Sequence, residues 1–335
     1  MDDLRQISPP PQPRRPAFLD LNHENRDALG EIVRGLQAPQ TNIAPKFFYD
    51  ALGSRLFEAI CELPEYYLTR VEASIFAERA AEIANSIGPR VTLIDLGAGN
   101  CEKAERLFDR LQPAQYVAID ISTEFLRQSL ALLQARHPAL DVLGLGMDFS
   151  AGLELPAVVR RAQRLFFYPG SSLGNFTPGE ASSLLRRIYA ACGDDGGLLL
   201  GVDLVKDRAA LEAAYDDALG VTAAFNRNLL NHVNRIIGAD FDFRQWRHVA
   251  GFNAAESRIE MHLQARADTQ VRWLGGQRIF RAGEQIHTEN SYKYRAEEVE
   301  RELRAIGFAD VATMVDREAR FALLLARCGA PRAPS

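Results

Sequence analysis

Cysteine is scarce and scattered in this chain. The four residues Cys61, Cys101, Cys192 and Cys328 form no C-x-x-C pair and have no histidines at ligand spacing. That excludes a disulfide framework and a zinc site, and it fits a reducing, cytoplasmic setting. His248, His262 and His287 likewise lack metal spacing and read as non-ligands, so no metal is expected. Long apolar runs are missing too. No stretch approaches the roughly 20 residues of a membrane span, and the proline-rich opening MDDLRQISPPPQPRRP lacks the apolar centre of a signal peptide. It reads as a loose leader, and no membrane partner is expected. Positive charge is in deficit: the net charge is −5 with Lys and Arg dispersed, so there is no basic stripe for nucleic acid. No internal repeat is visible, and a monomer is the expected state.

What is present is a core-forming composition, 47% hydrophobic and 25% charged over 335 residues, enough for one large domain or two lobes. Leu52, Leu56 and Ile60 share a helical face before Pro64 breaks the pattern, and Thr69 with Glu72 suggests a capping box opening a helix with Val71, Ile75, Phe76 and Ile83. From Val91 short apolar runs alternate with amphipathic stretches, the pattern of βαβ units and a parallel sheet. Strands are expected at VTLIDLG, QYVAID, DVLGLGMD, RLFFYPG and GGLLLGVDLV, with helices at EKAERLFDRL and STEFLRQSLALLQA among them. The alternation then stops. Residues 207–285 suggest helices at 209–219 and 223–237 and strands near 246–252, 258–264 and 269–273, an inserted lobe. A helix at 296–306, stopped by Gly307, and an antiparallel pair, DVATMVD and RFALLLARC, close the chain. The expected division is a leader and N-terminal segment at 1–43, a helical part at 44–90 contributing to the substrate lobe, a doubly wound α/β domain at 91–206, the α+β inserted lobe at 207–285, and a return to the first domain at 286–330.

The first strand ends in LIDLGAGNCEK. A G-x-G between strand and helix lets backbone approach a ligand at the carboxyl edge of an open α/β sheet, though alone it is also an ordinary tight turn. The third glycine of a dinucleotide fingerprint is replaced by Glu102, which sets NAD and flavin behind other nucleosides. Asp120 and Asp148 stand where the second and third strands end. The first can accept from ribose hydroxyls, the second from an adenine amino group, with Phe149 stacking on the base. Either acid alone could instead be a helix N-cap. Cys101, near a helix start, is a place where a thiol pKa can fall, although an ordinary loop cysteine accounts for it as well.

The alternation, the DLGAG turn, the two strand-end acids and the closing hairpin resemble the S-adenosylmethionine-dependent methyltransferases, a Rossmann-like fold. Four longer stretches, FYDALGSRLFEAICELPEYYLTR, FFYPGSSLGNFTP, LLLGVDLVKD with AAYDDALGVTAAFNRN, and GEQIHTENSYKY, are similar to the histidine Nα-methyltransferases that make hercynine in ergothioneine synthesis. The resemblance implies S-adenosylmethionine as cofactor and trimethylation of the α-amine of L-histidine. It implies cofactor contacts from Tyr49, Gly97, Lys103, Asp120, Asp148 and Phe149. It surrounds the amino acid with Tyr66, Gly170, Asn175, Tyr215, Met261, Glu289 and Ser291, and makes Tyr66 the catalytic candidate that steers the amine. Asn175 and Tyr215 would donate to the carboxylate, Gly170 would admit backbone beside the amine, and Glu289 and Ser291, two apart on one extended face, would grip the imidazole. On the residues alone, Tyr66 and Tyr215 also read as packing tyrosines and Met261 as a core residue of a period-two strand. Two other functions compete: methylation of a different amino acid on the same scaffold, and a non-catalytic NAD- or nucleoside-binding module. The family has small hydroxyl residues where Asn100 and Cys101 stand, so those two side chains are given no cofactor role.

Overall fold

The structure, a computed structural model, describes residues 15–21 and 27–329; most of the expected leader lies outside the described residues. In chain order the strands are β1 (Ala17–Asp20), β2 (Thr92–Leu96), β3 (Gln115–Asp120), β4 (Val142–Gly146), β5 (Arg164–Tyr168), β6 (Gly197–Asp203), β7 (Trp246–Asn253), β8 (Arg258–Ala265), β9 (Thr269–Trp273), β10 (Gly276–Phe280), β11 (Gln285–Tyr292), β12 (Asp310–Val315) and β13 (Phe321–Arg327). The α-helices are α1 (Ala28–Gln37), α2 (Ala51–Cys61), α3 (Leu68–Ile87), α4 (Glu102–Glu105), α5 (Phe108–Leu111), α6 (Thr123–Arg136), α7 (Pro178–Cys192), α8 (Arg208–Ala213), α9 (Val221–Ile237) and α10 (Ala296–Ile306).

The main sheet runs β1-β4-β3-β2-β5-β6-β13-β12, parallel through β6 and antiparallel in the closing hairpin. Its central strands are buried on both faces, which is why they read as continuous apolar runs. Successive residues feed opposite cores. Leu93, Tyr116 and Phe167 point toward α3, α5 and α6, while Ile94, Val117 and Phe166 point toward α7 and α10. The first of these cores continues without a break into the second lobe, through Phe225, Trp246 and Met261. That lobe is a three-stranded sheet, β11-β8-β7, with the hairpin of β9 and β10 and the long helix α9. Because β11 pairs with β8 as far as Tyr292↔Arg258, we take the lobe to extend to Tyr292, beyond residue 285.

Several elements differ from the expectations. β1 is a parallel edge strand that four residues of sequence could not announce; Phe18 fills the space over Gly144, where a Cβ would lie 2.5 Å from its ring, and Arg127 covers the ring at 3.6 Å. The expected helix EKAERLFDRL is two short ones, because the chain tightens between them: Leu107 donates to the Ala104 carbonyl, an i to i−3 bond. Its apolar positions Ala104, Leu107, Phe108 and Leu111 are nonetheless all buried. The expected helix at 209–219 stops at Ala213; Asp217, in the loop beyond, accepts from the backbone of Val221 and Thr222 and so starts α9. Leu52 lies on the exposed side of α2, unlike Ile60. Thr69 and Glu72 form no capping box. Helix α3 begins one residue before Thr69, at Leu68, with no side-chain cap, and Glu72 is turned into the interior.

Candidate active site

The cofactor candidates collect at the carboxyl ends of β2, β3 and β4, which parallel pairing brings to one edge. Gly97 and Gly99 have φ of +70° and +54°, the left-handed region that favours glycine, and a Cβ on either would meet nothing within 4 Å. These glycines are needed for chain direction, and the space beside them is open. Gly97 and Ala98 donate to the Ile119 carbonyl, which draws the turn over the end of β3. There Asp120 accepts from the backbone N–H groups of Gly99 at 2.9 Å and Ser122 at 2.8 Å, so its carboxylate is held in place by main chain. Burial pushes its pKa up; those backbone donors work in the opposite direction. Asp148, after β4, accepts from the Ser150 N–H and pairs with Lys46 at 3.0 Å, which also reaches Glu31 of α1 at 2.8 Å. Phe149 meets Tyr168 edge-on at 5.7 Å. The Tyr49 carbonyl accepts from the Ser122 hydroxyl, and its ring packs edge-on against Phe57 and Phe225. Open glycines, two strand-end carboxylates and a neighbouring aromatic ring suit a nucleoside bearing ribose hydroxyls and an exocyclic amine.

Cys101 is wholly buried, with its pKa pushed up by burial and by the nearby Asp95, so the thiol is not activated. Asp95 itself, hydrogen-bonded by Tyr116 at 2.8 Å, is raised to about 7 by burial and sits beneath the glycine turn.

The segment FFYPGSSLGNFTP explains itself once folded. Thr177, Pro178 and Glu180 make a reciprocal capping box for α7. Ahead of it, Gly170 and Ser171 have φ of +73° and +59°, turning the chain sharply off β5. Ser171 accepts from the Asp203 N–H at 2.8 Å. The 3-10 turn Ser172–Asn175 then lies against β11 so tightly that a Cβ at Gly174 would stand 2.9 Å from the Tyr292 carbonyl oxygen. The loop is thereby packed onto the strand that carries Glu289 and Ser291. Asn175 ends the turn partly exposed, its amide bonded to no described residue.

Met261 is paired with Glu289 across β8 and β11, which puts both on one face. A bulge between His287 and Glu289 resets the alternation; the extra residue, Thr288, is tied to the Met261 carbonyl. Glu289 is partly accessible and takes no hydrogen bond from a described residue, and burial raises its pKa to about 7 against the pull of Lys293. Its charge is felt by Tyr49, Tyr66 and Tyr215. The rings of Tyr66 and Tyr215 stand edge to face at 6.2 Å. Tyr215 OH and Ser291 Oγ are 2.7 Å apart, and Lys293 Nζ lies within 3.0 Å of each.

Residues for which no site role was expected from the sequence tie these parts together. Glu72, almost fully buried, accepts from Lys103 Nζ and from the Gly170 N–H, both at 2.7 Å, and so bridges the cofactor side to the loop after β5. Asp203 accepts from Tyr67 OH, Lys206 and Lys293 in a fully buried position. A lone acid in GGLLLGVDLV was a visible signal. So was the spacing of Glu289, Ser291 and Lys293, each two residues from the next.

The family described as "Histidine-specific methyltransferase, SAM-dependent" matches residues 28–328 of the chain. The chain is 42% identical over 308 residues to "Histidine N-alpha-methyltransferase" of Mycolicibacterium smegmatis, covering 90% of this chain and 95% of that protein. With the protein of the same name in Mycobacterium tuberculosis the identity is 40% over 318 residues, 91% of this chain and 98% of the other. It is also 34% identical to "Ergothioneine biosynthesis protein 1" of Neurospora crassa, over 79% of this chain but only 31% of that larger protein.

Proposed function

Because the chain belongs to the histidine-specific, S-adenosylmethionine-dependent methyltransferases, we propose that it adds three methyl groups to the α-amine of L-histidine, the hercynine-forming step of ergothioneine synthesis. The observation that carries this reading is Glu289. It is a recessed carboxylate with no hydrogen bond from the described protein, set beside Met261 among three tyrosines, and it calls for a ligand with a ring N–H.

Bound S-adenosylmethionine supplies an electrophilic methyl on a positively charged sulfur, and Gly97, Lys103, Asp120, Asp148, Phe149 and Tyr49 would hold it. Glu289 accepts the imidazole N–H while Met261 walls the ring with a polarisable apolar surface. Asn175 donates its amide to the substrate carboxylate. The Gly170 N–H is already committed to Glu72, so of this residue only the carbonyl is left to accept from the amine. Tyr66 orients the amine by accepting from it. Burial and the neighbouring Tyr215 raise the Tyr66 pKa well above its ordinary value, so it steers the lone pair and does not remove a proton at neutral pH. The proton leaves to solvent, and the protein's contribution to rate is alignment.

Incubating the purified protein with isotopically labelled S-adenosylmethionine and the twenty amino acids should label histidine, with a mass gain of three methyl groups. Labelling of tryptophan or tyrosine in its place would overturn the substrate assignment.

A further inference from the structure

Two glycines from different elements leave room for one ion pair. Gly170, in the loop after β5, has φ of +73°, and a Cβ there would stand 2.9 Å from Lys103 Nζ. Gly201 lies within β6, and a Cβ on it would stand 2.4 Å from Glu72 Oε1. The pair they make room for joins Lys103 to Glu72 of α3, whose side chain is 2% exposed against 33% for Lys103. Both carboxylate oxygens are engaged: Oε2 accepts from Lys103 Nζ and Oε1 from the Gly170 N–H, each at 2.7 Å. Desolvating a recessed carboxylate offsets most of what such a pair gains, so stability alone gives little reason for the arrangement.

The two partners of Glu72 serve different ligands. Lys103 has three ammonium hydrogens and gives one to Glu72; the others are left for the cofactor, whose methionine tail carries its only carboxylate. Gly170, its N–H taken, has only its carbonyl left for the amine. In methyl transfer the nitrogen, methyl carbon and sulfur must lie in line, and small errors of placement cost rate. We propose that Glu72 is a positioning residue that fixes the spacing of methyl donor and acceptor: one carboxylate holds both the ammonium that anchors the cofactor tail and the backbone that meets the amine. It acts through Lys103 and Gly170. Glutamine in its place has one acceptor oxygen and one NH₂ group, so either Lys103 or the Gly170 N–H then faces a donor and moves away.

This inference rests on histidine being the acceptor, and the test separates the two. The first methyl transfer would be timed by rapid quench on the full chain, in excess over labelled S-adenosylmethionine and saturated with histidine. Affinities for histidine and S-adenosylhomocysteine would be measured by calorimetry. In Glu72→Gln the transfer should slow by about tenfold or more, while both affinities change by less than about threefold. Gly201→Ala alters no group placed at either ligand but presses on Glu72 Oε1, and it should give the same split. It carries the test if Glu72→Gln fails to fold. The double variant should be no slower than the slower single one, because both changes act on one contact. If Glu72→Gln transfers within about twofold of the unaltered rate, or if rate and affinities fall by the same factor, Glu72 is a structural prop and the inference is overturned. If the unaltered protein transfers no methyl to histidine, the functional reading itself falls.

Discussion

The two halves of the cleft hold their polar groups by different means. On the cofactor side, Asp120 is fixed by the N–H groups of Gly99 and Ser122, main chain close by on turns at strand ends, and Asp148 by the Ser150 N–H together with the side chains of Ser150 and Lys46. On the amino-acid side, Asp203 is fixed by the side chains of Tyr67, Lys206 and Lys293, and its partner Tyr67 is 136 residues away in sequence. Backbone donors come with the fold and tolerate exchange of side chains around them. A side-chain network fails as a unit when one member is removed, and it positions specific hydroxyls in return. On the proposed assignment of the site, selectivity for one amino acid therefore falls to the side-chain network and not to the glycine turn.

The comparison breaks most visibly at Asp203. Asp203→Ala leaves Lys293 and Lys206 buried beside each other without their shared anion, and the expected loss is about 3–5 kcal/mol of stability, read from urea unfolding. In the fraction that stays folded, calorimetry should find histidine binding lost and S-adenosylhomocysteine binding retained; loss of both would show the halves to be one unit.

Glu289 should give a smaller effect of opposite sign. Its pKa stands at about 7 in the fold against an ordinary 4.5, so the folded state favours the protonated form. The stabilisation this brings is fully present below pH 4.5 and is lost as pH rises through about 7. Glu289→Gln, neutral at every pH, should therefore be more stable than the unaltered protein at pH 8, by up to about 3 kcal/mol. The two should melt alike at pH 4. The same variant should bind histidine more weakly and the cofactor unchanged.

The smallest effect is expected on the cofactor side. Lys46 is a partly exposed cation shared between Asp148 and Glu31, and Lys46→Met should cost about 1 kcal/mol or less in a thermal melt. Cofactor affinity should move more than histidine affinity; the reverse would place the N-terminal segment with the amino-acid site.

Much of the fold was legible because its signals are short in range. Helix α10 ends before Gly307 as its periodicity required, and the Thr177–Glu180 box forms as written. The Thr69–Glu72 pair has the same spelling and forms no box. Its glutamate finds stronger donors in Lys103 and the Gly170 N–H, which no local rule brings into view. β10 was not expected as a strand because its polar residues mask the alternation; in β11 only the pair Glu289 and Ser291 was read as extended, since polar residues and a bulge interrupt the pattern around them.

The sequence by itself determined the apolar runs of the sheet, the glycine turn, the acids at two strand ends and the spacing of Glu289 and Ser291. Each of these depends on dihedral preference or on periodicity over a few residues. Only the tertiary structure decided that Glu72 joins the two halves, that Asp203 and Lys293 sit together without solvent, and that Gly174 must lack a Cβ for its loop to reach β11. Those outcomes depend on which distant surfaces meet, and on the need of every buried charge for a partner that only the packed chain can supply.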